Sequence, residues 1–373
     1  MIYSVRDIEL LWLLRWCRFI APSDLTNLTD EAMLTNLKAM KLIRVHKTSQ
    51  ALTLTTRGNE FLTRNFQKMP GNAPIAYKSA DTLRKLRIAK LTLTAYRAGF
   101  SVFSKDLSDL ENEATAYCPS LMRGRGANPW SNSRIALLLR FRELLAAVHY
   151  ICPGIGDILL TDELHSFTNN TASIPRARPA MIFAGESYQS VMQELNRPPA
   201  KEEGRLVSYG GAFRSCTLPI HLLSCDDTGA TQLRIMAQPD YRRRLTVAAL
   251  NSYFRPPPQE HPEWDAIFDG VPFVMAADME LRRIDAAIQS AKAAGFRQIT
   301  MAALSGQVKS VLSIRYRVPG LARVFTLSAN ALNALGDMTL YTPSRRQYET
   351  PEGDVIDAPP IQADRKSGRQ GRK

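Results

Sequence analysis

The run Asp30-Glu31-Ala32-Met33-Leu34-Thr35-Asn36-Leu37-Lys38-Ala39-Met40-Lys41-Leu42-Ile43-Arg44-Val45-His46-Lys47-Thr48-Ser49-Gln50-Ala51-Leu52-Thr53-Leu54-Thr55-Thr56-Arg57-Gly58 changes its hydrophobic period twice. Met33, Leu37 and Met40 recur at helical spacing, which predicts a helix from about Asp30 to Met40. Ile43 to His46 and Ala51 to Leu54 then read as short strands, joined by the polar tip Lys47-Thr48-Ser49-Gln50 as a hairpin. A further helix starts near Thr56 and carries Phe61, Leu62 and Phe66, with threonine hydroxyls available as caps.

Working outward, Ile8, Leu11, Trp12, Arg15 and Phe19 sit at helical spacing behind the potential cap Ser4. A short second helix opens at Pro22, with Ser23 and Asp24 in its first turn. Three helices, a hairpin and a returning helix are the order of a winged helix-turn-helix, expected over residues 1–68. In that fold the third helix enters the major groove. The face opposite its buried stripe presents Thr35, Asn36 and Lys38. Asparagine can bond adenine bidentately, and lysine can serve guanine or phosphate. Lys47 at the wing tip and Arg57 after the second strand are placed to meet the backbone. Asp30 and Glu31 open the same helix, where acids favour the helix dipole but repel phosphate.

Met69-Pro70-Gly71-Asn72-Ala73-Pro74 reads as a linker. Beyond it a helix is expected from a cap at Ser79 to Ala98, stopped by Gly99. Residues 76–105 hold seven Lys/Arg against the single acid Asp81, and residues 1–68 hold ten against six. Arg84, Arg87 and Lys90 or Lys85 can form a basic face, so this connector is a candidate backbone clamp; a solvated helix is the plainer alternative. From residue 130 to 345 strands and helices alternate. Strands are expected at Arg134 to Arg142, Leu145 to Ile151, Pro179 to Phe183, Phe213 to Leu223, Phe273 to Ala276 and Ile299 to Ala302. Helices are expected at Glu186 to Asn196, Thr228 to Met236, Glu280 to Ala294 and Gln307 to Ile314. The fold class is therefore α/β (α+β overall), with a partly parallel sheet in the second domain, which could be a degenerate nuclease-like fold. Residues 346–373 read as a flexible basic tail.

Over the whole chain, 373 residues carry a net charge of +13, which favours a polyanionic partner. No run of about eighteen apolar residues suggests a membrane span. The acidic residues Asp7 and Glu9 stand where a signal peptide needs basic ones. The five cysteines are scattered and never form a Cys-x-x-Cys pair, which argues against a disulfide framework and a zinc site. These features make the cytoplasm the expected compartment.

The opening hydrophobic helix, Leu37-Lys38-Ala39-Met40-Lys41-Leu42-Ile43, the short wing and Leu54-Thr55-Thr56-Arg57-Gly58 together resemble the replication-relaxation family. Those are winged-helix proteins of plasmids and conjugative elements. The resemblance covers about residues 1–100, and beyond them only the general layout. It implies a non-catalytic accessory that binds double-stranded DNA and assists a relaxase at an origin of transfer. Self-association is compatible with it, and no cofactor or membrane partner is implied.

A relaxase needs a metal-binding His-x-His pair, whereas His46, His149, His165, His221 and His261 are isolated in sequence. A metal-dependent nuclease needs carboxylates at strand ends, often with a nearby lysine. Asp278, Glu280 and Lys309 are the candidates, yet Glu-x-Lys is missing and two acids at i and i+2 of a helix diverge by roughly 200°. The stretch around Gly204, Gly210 and Gly211 has neither the lysine nor the spacing of a phosphate loop. No metal site is expected. The alternatives to the accessory factor are a transcription regulator with a sensing or oligomerising C-terminal domain, and a metal-dependent nuclease.

Overall fold

The computed structural model describes residues 4–65, 82–122, 130, 133–152, 157–171, 174, 176–198, 200–202, 205–207, 209–317, 319–344, 347–349 and 355–356. It is mixed α/β. The described residues before 90 and after 341 belong to one compact unit, and residues 90–341 to another.

The first unit begins with α1 (Val5–Cys17), capped reciprocally: the Asp7 amide donates to Ser4 Oγ at 3.2 Å, and the Ser4 amide to Asp7 Oδ2 at 3.0 Å. The helix is buried on nearly every side, through Val5, Ile8, Leu10, Leu11, Leu13, Leu14, Trp16 and Cys17. The buried surface is therefore broader than the helical spacing of Ile8, Leu11, Trp12, Arg15 and Phe19 predicts. Arg18, at φ 68°, ends the helix, so Phe19 lies beyond it. A 3-10 turn at Pro22–Leu25 follows, then α2 (Glu31–Ala39), capped by Asp30 Oδ1 accepting from the Met33 amide at 2.8 Å. Strands β1 (Ile43–Val45) and β2 (Leu52–Leu54) pair antiparallel, with Ile43 opposite Leu54. Helix α3 (Thr56–Asn65) returns from them. Phe66, the 69–74 linker and the Ser79 cap lie outside the described residues.

At the start of α3 the Thr55 hydroxyl donates to the Lys41 carbonyl at 2.6 Å and accepts from the Gly58 amide at 2.9 Å. A Cβ on Gly58 would stand 2.2 Å from the Leu42 carbonyl oxygen, so only glycine lets α3 approach the turn before β1. The segment after 345 is not wholly tail: β15 (Tyr348–Glu349) and β16 (Val355–Ile356) pair antiparallel, and the Gln347 carbonyl accepts from the Val5 amide at 2.9 Å. Residues 357–373 lie outside the described residues.

Helix α4 (Thr82–Arg97) holds the division between the units, and Gly99 at φ 90° stops it as expected. The α/β unit starts earlier than residue 130. Its six-stranded sheet includes β3 (Ser101–Ser104) and β4 (Thr115–Tyr117), short strands that pair parallel and so lack the hairpin that marks β1 and β2 in the sequence. With β5 (Leu137–Arg140), β6 (Leu144–Tyr150), β7 (Arg178–Gly185) and β10 (Ile220–Ser224), the order is β10-β7-β6-β5-β4-β3. Strands β6, β7 and β10 run parallel, and from Ala180 to Gly185 every residue of β7 is buried, the uniform apolar reading of a central parallel strand. Their connections contain α5 (Asp157–Thr171), α6 (Tyr188–Leu195), the hairpin of β8 (Ala200–Glu202) and β9 (Arg205–Val207), and α7 (Tyr209–Ser215). The strand expected at Phe213 to Leu223 is thus half wrong. Residues 213–215 finish α7, and Pro219, which lacks an amide proton, precedes the strand at Ile220.

After β10 come α8 (Asp227–Met236) and α9 (Tyr241–Leu250). The latter escaped the sequence reading because Arg242-Arg243-Arg244 masks its apolar residues. A second sheet, β11-β12-β13-β14, follows: β11 (Ala266–Phe268), β12 (Val271–Met275), β13 (Ile299–Ala303) and β14 (Ala322–Thr326). Asp269 and Gly270, both at positive φ, make the tight turn between β11 and β12. The other pairs are parallel, crossing over through α10 (Leu281–Ala293) and through α11 (Ser305–Gln307), which continues as a π-helix at Val308–Arg317. One face of this sheet packs under α9 and α12 (Ala329–Asn333) through Leu245, Leu250, Met275, Ala277, Ala302 and Ala331. The Leu222 amide bonds the Met279 carbonyl at 3.1 Å, and His221 bridges Glu280, joining the edge of the first sheet to the chain that leaves β12. No described helix is long and apolar enough to cross a membrane, and the cysteines form no disulfide.

Candidate functional site

Two places gather the residues singled out from the sequence. The first is the surface of α2 and the β1–β2 hairpin. Met33 and Leu37 are buried one helical turn apart, so Thr35 and Lys38 turn outward and Asn36 flanks them, and all three are exposed. Lys41 takes a left-handed turn at φ 58° that carries the chain from α2 into β1. Lys41 and Arg44 are also exposed cations, which the sequence reading passed over because neither falls on a helix face.

Lys47 is exposed at the hairpin turn, which is closed by the His46 amide on the Ala51 carbonyl (2.7 Å) and by Gln50 Nε2 on the Lys47 carbonyl (2.8 Å). Arg57 is exposed in the first turn of α3. Asp30, the acid of concern at the start of α2, caps the helix and stands 3.7 Å from the buried Arg6 guanidinium, which offsets its charge. The surface therefore combines exposed cations with hydrogen-bonding side chains, and Glu31 is an exposed acid on the same helix.

On α4, Arg84, Lys85 and Arg87 are half-buried, and the Lys85 ammonium lies 5.3 Å from the centre of the Phe19 ring. Lys90 departs from this group. It falls in the α/β unit and is ion-paired to Glu186. The basic face expected to include it ends before it.

A comparison with protein families, characterised proteins and solved structures returns no match.

The second place is a buried charge cluster in the α/β unit. Asp278 and Glu280 were expected to diverge on one helix. Instead Met279 turns left-handed at φ 52° and α10 begins only at Leu281, so both carboxylates meet the guanidinium of Arg242 from α9. Tyr241 Oη and Arg242 Nε each donate to Asp278 Oδ2 at 2.7 Å. Arg283 donates to Asp265 Oδ2 at 2.8 Å and stands 3.9 Å from Asp278. Burial alone would push the Asp278 carboxyl up, but the charges of Arg242 and Arg283 outweigh it and hold it well below the usual carboxylate range.

His221, isolated in sequence, joins this cluster. Its Nδ1 lies 2.9 Å from the Asp278 carbonyl, and a ligand atom of His221, Asp278 and Glu280 each lie within 4.8 Å of one another. These three are the described residues that could hold a cation. However, Asp278 Oδ2 already takes two donors, and two guanidinium ions neutralise the acids, so the arrangement acts as a closed clamp between α9 and the β12–α10 turn. Lys309 is exposed on the helix after β13. A separate open cleft of about 700 Å³ lies between α6 and the π-helix, lined by Met192, Val311 and Ile314 with Gln189, Arg197 and Arg315.

Proposed function

We propose that the protein is a non-catalytic accessory factor that binds double-stranded DNA through an N-terminal winged helix. The observation that carries this is the exposed set Thr35, Asn36 and Lys38 on a helix whose opposite face is fixed by Met33 and Leu37, followed directly by a hairpin that exposes Arg44 and Lys47. An α-helix fits the major groove of B-DNA, and an amide and an ammonium there can read base edges. A hairpin with a lysine at its turn suits the adjacent backbone, as does Arg57. Arg84, Lys85 and Arg87 extend the cationic surface of the same unit. The resemblance of about residues 1–100 to the replication-relaxation family is what suggests, within this proposal, a factor of a mobile genetic element that works beside a relaxase.

A ligand-sensing regulator is the second reading, and the cleft between α6 and the π-helix favours it by offering a small molecule both apolar and charged contacts.

The test is a titration of the full-length protein with duplex DNA at several salt concentrations. Log affinity should fall with log salt by about 0.9 per phosphate contact. Asn36→Ala with Lys38→Ala should cost roughly 1–3 kcal/mol on the preferred sequence and flatten discrimination. Arg84→Ala with Arg87→Ala should instead weaken all sequences alike and lower the salt slope. Duplex binding that is undetectable at low salt would overturn the proposal.

A further inference from the structure

We propose that the α/β unit carries a second, separate binding site: a stacking platform for single-stranded DNA on the open end of the β11–β14 sheet face. Side chains that share a register share a face, so Ala266 and Phe268, Phe273 and Met275, Thr300 and Ala302, and Arg323 and Phe325 all project to one side. Helices α9 and α12 cover the end of that face marked by Met275, Ala277 and Leu327. Toward the other end the face is lined by aromatic rings.

Phe273 is buried and packs edge-on against Phe268, their centroids 6.5 Å apart. Phe268 in turn meets Phe325 at 6.2 Å and 89°, and Tyr253, from the 3-10 turn after α9, at 6.1 Å and 83°. The row climbs from core to solvent: Tyr253 is 68% exposed and Phe325 39%. Tyr253 and Phe325 leave large apolar rings in water, joined through Phe268 into one patch, and contiguous exposed apolar patches mark contact sites.

The chemistry selects the occupant. The guanidinium of Arg323, two residues from Phe325 on the same face, lies 5.7 Å from the centre of its ring. Arg255, beside Tyr253, is also exposed. Rings with adjacent fixed cations fit unpaired bases on a phosphate backbone, since every base has a π-face and every link a negative charge. An apolar protein partner would gain nothing from the two cations. The Thr300 hydroxyl, in register between Phe273 and Arg323, has no protein partner. Asp269, exposed at the β11–β12 turn, is the opposing charge.

This site shares no residue with the N-terminal surface, so the two proposals fail independently. The experiment measures binding of full-length protein to a labelled oligothymidylate of about ten nucleotides by fluorescence anisotropy, beside an abasic strand of equal length and an oligouridylate. Wild type should prefer the strand with bases. Tyr253→Ala and Phe325→Leu should each lower affinity roughly five- to hundredfold, the range lost with one stacked base. Asp269→Asn should raise it.

Val247→Ala removes another exposed apolar side chain and should change nothing, and thermal melts of each variant separate lost stacking from lost folding. An oligouridylate bound more tightly than the oligothymidylate would reassign the platform to RNA and overturn the assignment to DNA. Equal binding of the abasic strand, or unchanged affinity in both folded aromatic variants, would overturn the platform itself. So would a dimer that these substitutions split into monomers while the affinity for DNA stays constant.

Discussion

Burial, helped by the positive charge of Arg134, lowers the imidazole of His149 from 6.5 to about 4, although the Glu163 carboxylate stands 3.8 Å away. His149 lies in β6, within the buried six-stranded sheet, so the folded state resists its proton while the unfolded chain accepts it near pH 6.5. The unfolded state therefore binds more protons between these two values. Stability should be full above about pH 6.5 and fall as the pH drops toward 4, by on the order of 3 kcal/mol in all. Urea unfolding across that window checks this, and His149→Gln should flatten the slope whatever it does to stability at neutral pH. Single residues were the least legible part of the sequence. His149 and His221 looked equally isolated, yet one is a neutral core residue and the other lies against Asp278 and Glu280. Nothing local separates them, because their neighbours come from α5 and from the chain 57 residues onward.

Elements were more legible where local chemistry dictates them. The Ser4 cap, the period of α2 and the Leu54-Thr55-Thr56-Arg57-Gly58 junction were readable because each works through neighbours within a few positions, whereas Asp30, expected to open α2, is its cap. Gly58 shows how sharply such a junction is specified. Gly58→Ala would gain about 1 kcal/mol in helix propensity. Its Cβ, however, would meet the Leu42 carbonyl oxygen, whose lone pairs are engaged by the Thr55 amide at 3.0 Å, so the obstacle is backbone and cannot rotate away. The clash should win, leaving a net loss of roughly 1–3 kcal/mol that a thermal melt would detect. Elements defined by tertiary pairing were missed. Strands β3 and β4 are about as short as β1 and β2, but they pair parallel across an intervening 3-10 turn, so no local hairpin announces them. Helix α9 hid its apolar side behind three consecutive arginines, one of which is needed for the charge cluster.

At the scale of the molecule, that cluster ties α9 to the turn between β12 and α10, while β10 joins the same turn through its backbone. Arg242→Ala should leave Asp278 buried without its main counter-charge and cost about 3 kcal/mol, the low end for a broken buried pair because the arginine side chain is 32% exposed. The same clamp leads us to expect intact supercoiled DNA after incubation with Mg²⁺ or Mn²⁺. Nicking that disappears in Asp278→Asn would make the α/β unit an enzyme. What the sequence determined by itself was everything set by near neighbours: the capped helices, the hairpin, the α/β alternation and the positive charge. What only the tertiary structure decided was which distant groups meet. The carboxylates of Asp278 and Glu280 converge because one left-handed residue turns the chain toward an arginine 36 positions earlier, and Lys90 leaves the basic face because Glu186, 96 positions on, takes its charge. Rings from Tyr253, Phe268 and Phe325 form one row because sheet register aligns strands that the chain separates. Spacing along a sequence carries periodicity, whereas charge pairing and ring contact depend on distances that only the packed chain fixes.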